Sequence, residues 1–215
     1  MVGIVQGKKR LFILGAGGFG RELESWLDEI PDNLRDWYIE GFLDDNLKAL
    51  DGYPSSFNII GRIDGFEFQK NDLVVMGIAN PKVKETIYNS VVNKVEFFTF
   101  ISPKATVGRF SVLEEGTVVC PGVVITTNTV LEKLTIVNCG SQIGHDAVIG
   151  RFSSLMSNVD IGGGCKIGEK VYMGTKSTLI HRKIICSGSL IGAGAVVFRN
   201  VIKKGTYIGN PAARL

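Results

Sequence analysis

The chain contains only two histidines, and both could do acid–base chemistry. His145 and His181 lie 36 residues apart, and Asp146 directly follows the first of them. An imidazole can accept a proton near neutral pH, and an adjacent carboxylate can orient it and stabilise its positive charge. His145 with Asp146 is therefore a candidate general base. A single exposed histidine is more often an ordinary surface residue. Whether His145 can act in catalysis therefore depends on the secondary-structure elements that position it.

The elements around both histidines repeat every six residues. Each sixth position from Ile101 to Val197 is aliphatic, and the position four residues further on is small or β-branched, except at Lys183. Both positions point to the same side of an extended chain, so each hexad predicts a short strand with two inward residues and a corner after it. Three hexads close a triangular coil of eighteen residues. Other β-solenoids are the only serious structural alternative.

The repeat places both histidines at corners of the predicted prism. Each follows its aliphatic anchor, Ile143 or Leu179, by two positions. They are two coils apart, so we expect them on one edge at a separation of about 10 Å. Asn138 belongs to the preceding hexad and is expected near the same edge.

The first hundred residues show a different pattern, which begins with a strand, a glycine loop and a helix. Arg10–Leu14 is a short apolar run, and Arg21–Ile30 has apolar residues at helical spacing. Between them the glycines of G-x-G-x-x-G allow a phosphate to approach the backbone at a helix start. We predict further strands at Tyr38–Leu43, Asp72–Ile78 and Glu96–Phe100, and a helix from Pro81 to about Val92.

Alone, the glycine motif formed by Gly15, Gly17 and Gly20 is weak evidence for any one ligand. It could hold NAD, hold a nucleotide sugar or form only a tight turn. Asp44 and Asp45 follow the second strand, at about the distance where such folds bind a ribose or a base. NAD is disfavoured because the segment supplies one mononucleotide-binding half rather than two.

Composition limits the possible partners and locations. A net charge of +3 gives no argument for nucleic acid, and no apolar stretch approaches eighteen residues. The four cysteines form no CxxC pair, and Met1–Gly7 lacks the order of a signal peptide. We therefore expect a cytoplasmic protein with reduced thiols and no membrane or nucleic-acid partner. The two patterns predict domains at residues 1–100 and 101–215.

The hexads resemble those of the hexapeptide-repeat acyltransferases. The order of G-A-G-G-x-G, F-L-D-D and hexads resembles the bacterial nucleotide-sugar N-acetyltransferases, a family often labelled sialic acid O-acetyltransferases. The resemblance implies an α/β Rossmann-like βαβ domain followed by a left-handed parallel β-helix, assembled as a homotrimer. It also implies acetyl-CoA as co-substrate, no metal, and a UDP-, GDP- or dTDP-linked amino sugar as acceptor.

The resemblance assigns roles to individual residues. His145 would be the catalytic base, with Asp146 where relatives carry an acidic residue, and Gly163 would donate an amide to the oxyanion. A tight corner explains Gly163 equally well. The residues implied to face the nucleotide sugar are Gly17, Gly18, Phe19, Asp44 and Asp45, with Asn138 near the acceptor sugar and Gly192 and Ala193 at the coenzyme A end. Several relatives carry a histidine where Phe19 stands.

The basic corner His181-Arg182-Lys183 lies two coils beyond His145, in the direction in which relatives bind coenzyme A. We hypothesise that it contacts coenzyme A phosphates, although an exposed surface corner would have the same composition. Cys139 as a covalent nucleophile is disfavoured because it would require ping-pong kinetics.

The sequence also bears on four functions other than N-acetyl transfer. A carbonic anhydrase would need three histidine ligands, and the chain has two. A serine-type or antibiotic acetyltransferase would not need the N-terminal domain. A sugar O-acetyltransferase and a non-catalytic sugar-binding scaffold remain as alternatives to N-acetyl transfer.

Overall fold

A computed structural model describes residues 7–215, and the chain divides into two compact units. The first contains the described residues up to Ile78 together with Thr86–Phe98. The second contains Ala79–Glu85 together with Thr99–Leu215. The short segment Ala79–Glu85 therefore belongs to the second unit, although its sequence continues the pattern of the first hundred residues.

The first unit is built on a parallel five-stranded sheet. The elements of this part of the chain, in order, are β1 (Lys9–Leu14), α1 (Gly18–Asp28), a 3-10 turn (Asp32–Leu34), β2 (Trp37–Leu43), β3 (Ile59–Gly61), β4 (Leu73–Met76), α2 (Pro81–Val91) and β5 (Glu96–Phe97). The start of α2, up to Glu85, belongs to the second unit. The strand order is β3-β2-β1-β4-β5. This order reverses direction beside β1, and ligands of open α/β sheets bind at that point.

Apolar runs explain the central strands of this sheet. Leu11–Leu14 and Val74–Met76 are almost fully buried, as expected for parallel strands covered on both faces. The sequence did not predict β3, because Ile59–Gly61 is too short to show a period. Helix α1 begins at Gly18 rather than Arg21, so its first turn is part of the glycine loop.

The second unit is a parallel β-helix with three faces, as the hexads predict. The first face contains Phe100–Ile101, Val118–Val119, Ile136–Val137, Ser154–Leu155, Tyr172–Met173, Leu190–Ile191, Thr206–Ile208 and the antiparallel Ala213–Arg214. The second contains Thr106–Val107, Val124–Ile125, Gln142–Ile143, Asp160–Ile161, Thr178–Leu179 and Val196–Val197. The third contains Val112–Leu113, Val130–Leu131, Val148–Ile149, Lys166–Ile167 and Ile184–Ile185. Up to Val197, successive coils pair in a constant register of eighteen residues, such as Val124 with Gln142. The last coil is shorter, and Leu190 pairs with Thr206.

Both inward columns of the hexad pattern form the core of the prism. Anchors such as Ile125 and second-column residues such as Thr129 are fully buried. Buried hydroxyl groups donate to carbonyls of the next coil, for example Ser141 Oγ to the Met156 oxygen at 2.9 Å. The anchors Ile101 and Val107 differ, being 42% and 37% exposed. Ile101 and Val107 belong to the first coil of the prism. No earlier coil of the second unit covers their N-terminal side, which explains their exposure.

Three edges join the faces, and each carries a different set of side chains. The histidine edge, between the second and third faces, includes His145, Gly163 and His181. The asparagine edge, between the first and second faces, includes Asn138, Gly192 and Ala193. The lysine edge, between the third and first faces, includes Lys170, Gly188 and Lys204. These assignments follow from the registers Ile143–Ile161–Leu179 and Val137–Leu155–Met173–Ile191.

Candidate active site

In the glycine loop after β1, two glycines are required by the backbone conformation and two leave free space for a ligand. Gly15 has φ +97°, and a Cβ on Gly20 would overlap the Gly15 carbonyl oxygen. These two glycines are therefore required by the backbone itself. A Cβ on Gly17 or Gly18 would meet no atom within 4 Å. Those two positions leave the start of α1 open, which is what a phosphate needs in order to reach the backbone amides.

The two acids after β2 are engaged by backbone amides. Asp44 Oδ2 accepts a hydrogen bond from the Ala16 N–H at 2.8 Å, and its Oδ1 accepts one from Asn46. Asp45 Oδ1 accepts one from the Ile63 N–H at 3.0 Å. Asp44 therefore ties the glycine loop to the end of β2. Each carboxylate retains lone pairs for a ligand, since an ionised carboxylate can accept about four hydrogen bonds.

Phe19 and Arg21 show how the first turn of α1 is arranged. The Phe19 ring packs edge-on against Trp26, with ring centroids 6.2 Å apart. Arg21 stacks its guanidinium over Tyr53 at 3.8 Å and lies beside a cleft of about 500 Å³. The sequence analysis overlooked Arg21. Its position directly after the last glycine of the motif is the signal that could have identified it.

His145 is oriented by its neighbour at the histidine edge. Its Nδ1 lies 2.6 Å from Asp146 Oδ2, and Asn128 Nδ2 donates to Asp146 Oδ1 at 3.3 Å. A carboxylate can only accept, so Nδ1 carries the proton and neutral His145 has a free Nε2. The hydrogen bonds from His145 and then Asn128 lower the pKa of the Asp146 carboxyl, which keeps it ionised. The sequence analysis missed Asn128, although it precedes Asp146 by one coil.

Gly163 lies against the reactive side of the imidazole. A Cβ added at Gly163 would come within 2.6 Å of His145 Nε2 and 2.8 Å of its Cε1. In the described part of the chain, the Gly163 N–H has no backbone acceptor. A proton acceptor and an unpaired amide donor therefore occur side by side, and this is the pairing that acyl transfer requires.

The basic corner occupies the next coil on the same edge. The backbone of His181 lies next to Gly162 in the following coil, since a Cβ on Gly162 would be 2.5 Å from the His181 backbone nitrogen. The Arg182 side chain passes Gly164, since a Cβ there would be 3.3 Å from its Cγ. His181 and Arg182 are exposed and Lys183 is half-buried. The structure thus aligns this corner with His145, as the eighteen-residue coil predicts.

Asn138, Gly192 and Ala193 lie on a different edge from His145. The prediction that Asn138 lies near the edge of His145 is therefore wrong, because the strand Gln142–Ile143 separates the two corners. The Asn138 side chain is 5% exposed, and its Oδ1 accepts a hydrogen bond from the Cys139 N–H at 2.6 Å. Gly192 and Ala193 follow the first-face strand Leu190–Ile191 three coils further on. One chain therefore distributes the candidate residues over two edges that flank the second face.

Lys84 is a buried ionisable residue that the sequence pattern did not reveal. Its Nζ donates to the carbonyl oxygens of Leu134 and Ser153, each at 2.9 Å, and to Ser154 Oγ at 2.8 Å. Ser154 Oγ donates in turn to the Ala79 oxygen at 2.7 Å. These bonds attach Ala79–Glu85 to the prism, which explains why this segment belongs to the second unit.

Neither a metal-binding cluster nor a membrane-spanning helix occurs among the described residues. Within residues 7–215, no three histidine, cysteine, aspartate or glutamate side chains gather in a way that could hold a metal ion. No helix in the same range has the length and apolar composition needed to cross a bilayer. None of the four cysteines forms a disulfide, and Cys165 is buried in the second column of the hexad pattern.

Comparison with known proteins identifies relatives for both units. Residues 10–91 match the family model described as the PglD N-terminal domain. The sequence is 27% identical to the GDP-perosamine N-acetyltransferase of Escherichia coli O157:H7, over 94% of this chain and 95% of that protein. The acetyltransferase domain of PglB from Neisseria gonorrhoeae FA1090 gives a TM-score of 0.87 at 25% identity, covering 97% of this chain and 100% of that one. The same domain solved in complex with acetyl coenzyme A gives 0.85 at 26% identity, with the same coverage.

These comparisons confirm the resemblance inferred from the glycine loop and the hexads. The similarity extends over nearly the whole chain, so it includes both units. The predicted fold class, an α/β unit followed by a parallel β-helix, is confirmed. The predicted enzyme class, an acyltransferase, is confirmed as well.

Proposed function

We propose that this acyltransferase, a homologue of the nucleotide-sugar acetyltransferases, transfers the acetyl group of acetyl-CoA to the amine of a nucleotide-linked amino-deoxy sugar. One observation carries the mechanism. The Nδ1 of His145 is held by Asp146 at 2.6 Å while its Nε2 lies beside Gly163. A base held in this tautomer is prepared to take a proton from a nucleophile at that point.

The proposed transfer is direct and needs no covalent enzyme intermediate. The sugar nitrogen attacks the thioester carbonyl carbon, a C–N bond forms, and the carbonyl oxygen becomes an oxyanion beside the Gly163 N–H. His145 Nε2 removes a proton from the attacking nitrogen, and Asp146 stabilises the resulting imidazolium. The intermediate then collapses, the C–S bond breaks, and His145 returns the proton to the thiolate of coenzyme A.

The division of the candidate residues between two edges supports a homotrimer. A cyclic assembly joins one surface of each subunit to a different surface of the next. The histidine edge of one subunit would then face the asparagine edge of its neighbour, which would bring Asn138, Gly192 and Ala193 to a site containing His145. Three copies close the ring, and each intersubunit cleft holds one complete site.

The first unit is proposed to hold the nucleotide. Gly17 and Gly18 leave the start of α1 accessible. Asp44 and Asp45 directly follow β2 and accept hydrogen bonds from Ala16 after β1 and Ile63 after β3. Phe19 packs on Trp26 and would offer the nucleotide sugar an apolar surface where several relatives carry a histidine. The choice of nucleotide then depends on contacts to the base.

The proposed function is tested by a substrate screen. UDP-, GDP- and dTDP-linked amino sugars are each mixed with acetyl-CoA and enzyme, and release of the coenzyme A thiol is followed with a thiol reagent. We expect turnover with one nucleotide class and none with acetyl-CoA alone. If the coenzyme A thiol were released only with sugars that offer hydroxyl groups and no amine, the proposal of N-acetylation would be replaced by O-acetylation. Absence of binding of both substrates in calorimetry would favour a scaffold.

The first prediction concerns Gly163. The Gly163→Ala variant should lose at least tenfold in kcat while its thermal stability changes little. The new methyl group would press on the imidazole, and the His145 side chain is 66% exposed, so it can be displaced into solvent without disturbing the core. Steady-state kinetics and a thermal melt measure the two effects. Gly150→Ala is the control, because its methyl group would press on the Gly168 backbone and should affect stability instead.

The second prediction concerns the basic corner. Replacing Arg182 and Lys183 together with alanine should raise the KM for acetyl-CoA several-fold and leave the KM for the acceptor unchanged, because exposed cations bind phosphates mainly by charge. Initial rates at varied acetyl-CoA concentration test this. Lys166→Ala, on the third face, serves as the control for lost charge. An unchanged KM for acetyl-CoA would refute the assignment.

A further inference from the structure

The second unit contains a cavity of about 640 Å³ away from the histidine edge. It opens where the first turn of α2 passes the C-terminal coils of the first face. Its volume falls in the range of cavities that hold small organic ligands. The residues that line it are Ala79, Asn80, Pro81, Lys82, Lys170, Tyr172, Gly188, Ser189, Leu190, Lys204, Gly205 and Thr206. None of the lining residues is an aspartate or a glutamate.

Positive charge is concentrated at the rim of this cavity. It includes Lys82, Lys170 and Lys204, whereas the whole chain carries a net charge of only +3. Lys170 Nζ donates to Glu85 at 2.8 Å and retains two further N–H groups. No acidic partner within 4 Å of the Lys204 ammonium occurs among the described residues. A charge of this kind, next to an open cavity, is available to an anion.

Two backbone features reinforce the attraction for an anion. Asn80 caps α2 by accepting hydrogen bonds from the Lys82 and Val83 N–H groups at 3.0 and 3.2 Å. The positively polarised start of this helix therefore borders the cavity. Gly188, at φ +71°, allows the Lys204 side chain to lie directly over the backbone, since a Cβ there would be 3.0 Å from Lys204 Cε.

The inner surface of the cavity is apolar and includes an aromatic ring. Tyr172 and Leu190 are consecutive outward residues of the first face, paired in register, and Pro81 closes the opposite side. Leu190 remains 40% exposed, so the described residues leave part of this surface open. A flat ring can stack on Tyr172 while its charged groups reach the lysines, and Ser189 and Thr206 offer hydroxyl groups nearby.

We propose that this cavity binds the phosphate-bearing end of a nucleotide, with the ring against Tyr172 and a phosphate on Lys204 and Lys170. The shared chemistry has two possible sources. One is the nucleotide end of the acyl donor, in which case the inference rests on the proposed function and extends its donor site to the lysine edge. The other is a free nucleotide that binds independently of the reaction.

Calorimetry on the full chain tests the site without any acceptor sugar. Adenosine 3′,5′-bisphosphate is titrated into the wild type, Lys204→Ala and Tyr172→Ala, with Lys203→Ala as the control because Lys203 is a neighbouring exposed lysine outside the cavity. We expect Lys204→Ala and Tyr172→Ala each to weaken binding about tenfold, and Lys203→Ala to leave it unchanged. Higher salt should weaken wild-type binding more than binding to Lys204→Ala.

The outcomes distinguish the acyl donor from a free nucleotide as the ligand, and they test the cavity separately from the proposed acetyl transfer. Competition between coenzyme A and the bisphosphate would assign the cavity to the donor, whereas simultaneous binding would assign it to a free nucleotide. No detectable binding of the bisphosphate, or equal affinities for wild type and both cavity variants, would overturn the proposal. A protein that binds the bisphosphate but fails to acetylate any amino sugar would sink the proposed function alone.

Discussion

Replacing His145 with alanine should lower kcat by about 10²–10⁴-fold, the usual contribution of a positioned general base. The same change should leave the fold and the KM for acetyl-CoA nearly unaltered, because the His145 side chain is 66% exposed and supports no core. Steady-state kinetics together with circular dichroism measure both effects. His181→Ala is the matched control on the same edge, and its kcat should remain close to that of the wild type.

The size of the residual activity also distinguishes the two acceptor chemistries. A sugar amine is partly unprotonated near neutral pH and can attack without help, whereas a hydroxyl group hardly ionises there. We therefore expect measurable residual turnover in His145→Ala if the acceptor is an amine. Complete loss of activity in a folded variant would favour the sugar O-acetyltransferase alternative. Unchanged activity would remove His145 from the mechanism.

Replacing Lys84 with methionine should reduce the free energy of unfolding by roughly 2–4 kcal/mol. The change keeps the length of the side chain but leaves the Leu134 and Ser153 carbonyls and the Ser154 hydroxyl without their donor, and buried unsatisfied groups are costly. Urea unfolding followed by fluorescence measures the loss. Lys170→Met is the control, since its partly exposed pair with Glu85 should contribute no more than about 1 kcal/mol. Equal losses in the two variants would contradict the special role of Lys84.

The stability difference between wild type and Lys84→Met should also depend on pH. Burial lowers the pKa of the Lys84 ammonium well below its ordinary value. Between the native pKa and the ordinary one, the unfolded chain binds more protons than the native state, so raising the pH through this window stabilises the native wild type. The advantage of wild type over Lys84→Met should therefore grow as the pH rises through this window toward the ordinary lysine pKa. A difference that stays constant as the pH rises toward that value would show that Lys84 remains protonated in the native state.

The hexad pattern predicted most of the second unit from the sequence. Anchors such as Ile143 and Leu179 fixed the coil length, and the coil length placed His145 and His181 on one edge. The same arithmetic could have found Asn128, which lies eighteen residues before Asp146. Periodicity succeeds here because each strand pairs with the strand one coil away, so local spacing determines the three-dimensional neighbours.

The six-residue repeat could not predict contacts between residues on different faces of the prism, or contacts with segments outside the repeat. Asn138 lies only seven residues before His145, yet the intervening face places it on another edge. Lys84 looks like an exposed helical lysine in the sequence, and only the passage of its segment along the prism buries it. The Phe19 ring packs against Trp26, which lies seven residues, or about two helical turns, further along α1.

The constant pairing distance of the prism restricts how such a chain can change in length. Adding or removing eighteen residues would retain every edge, and adding six would rotate all later coils by one face. A six-residue insertion between Asn138 and His145 would move the imidazole to a different corner while every strand kept a partner. Related enzymes of different height should therefore differ by whole coils above or below the catalytic corner.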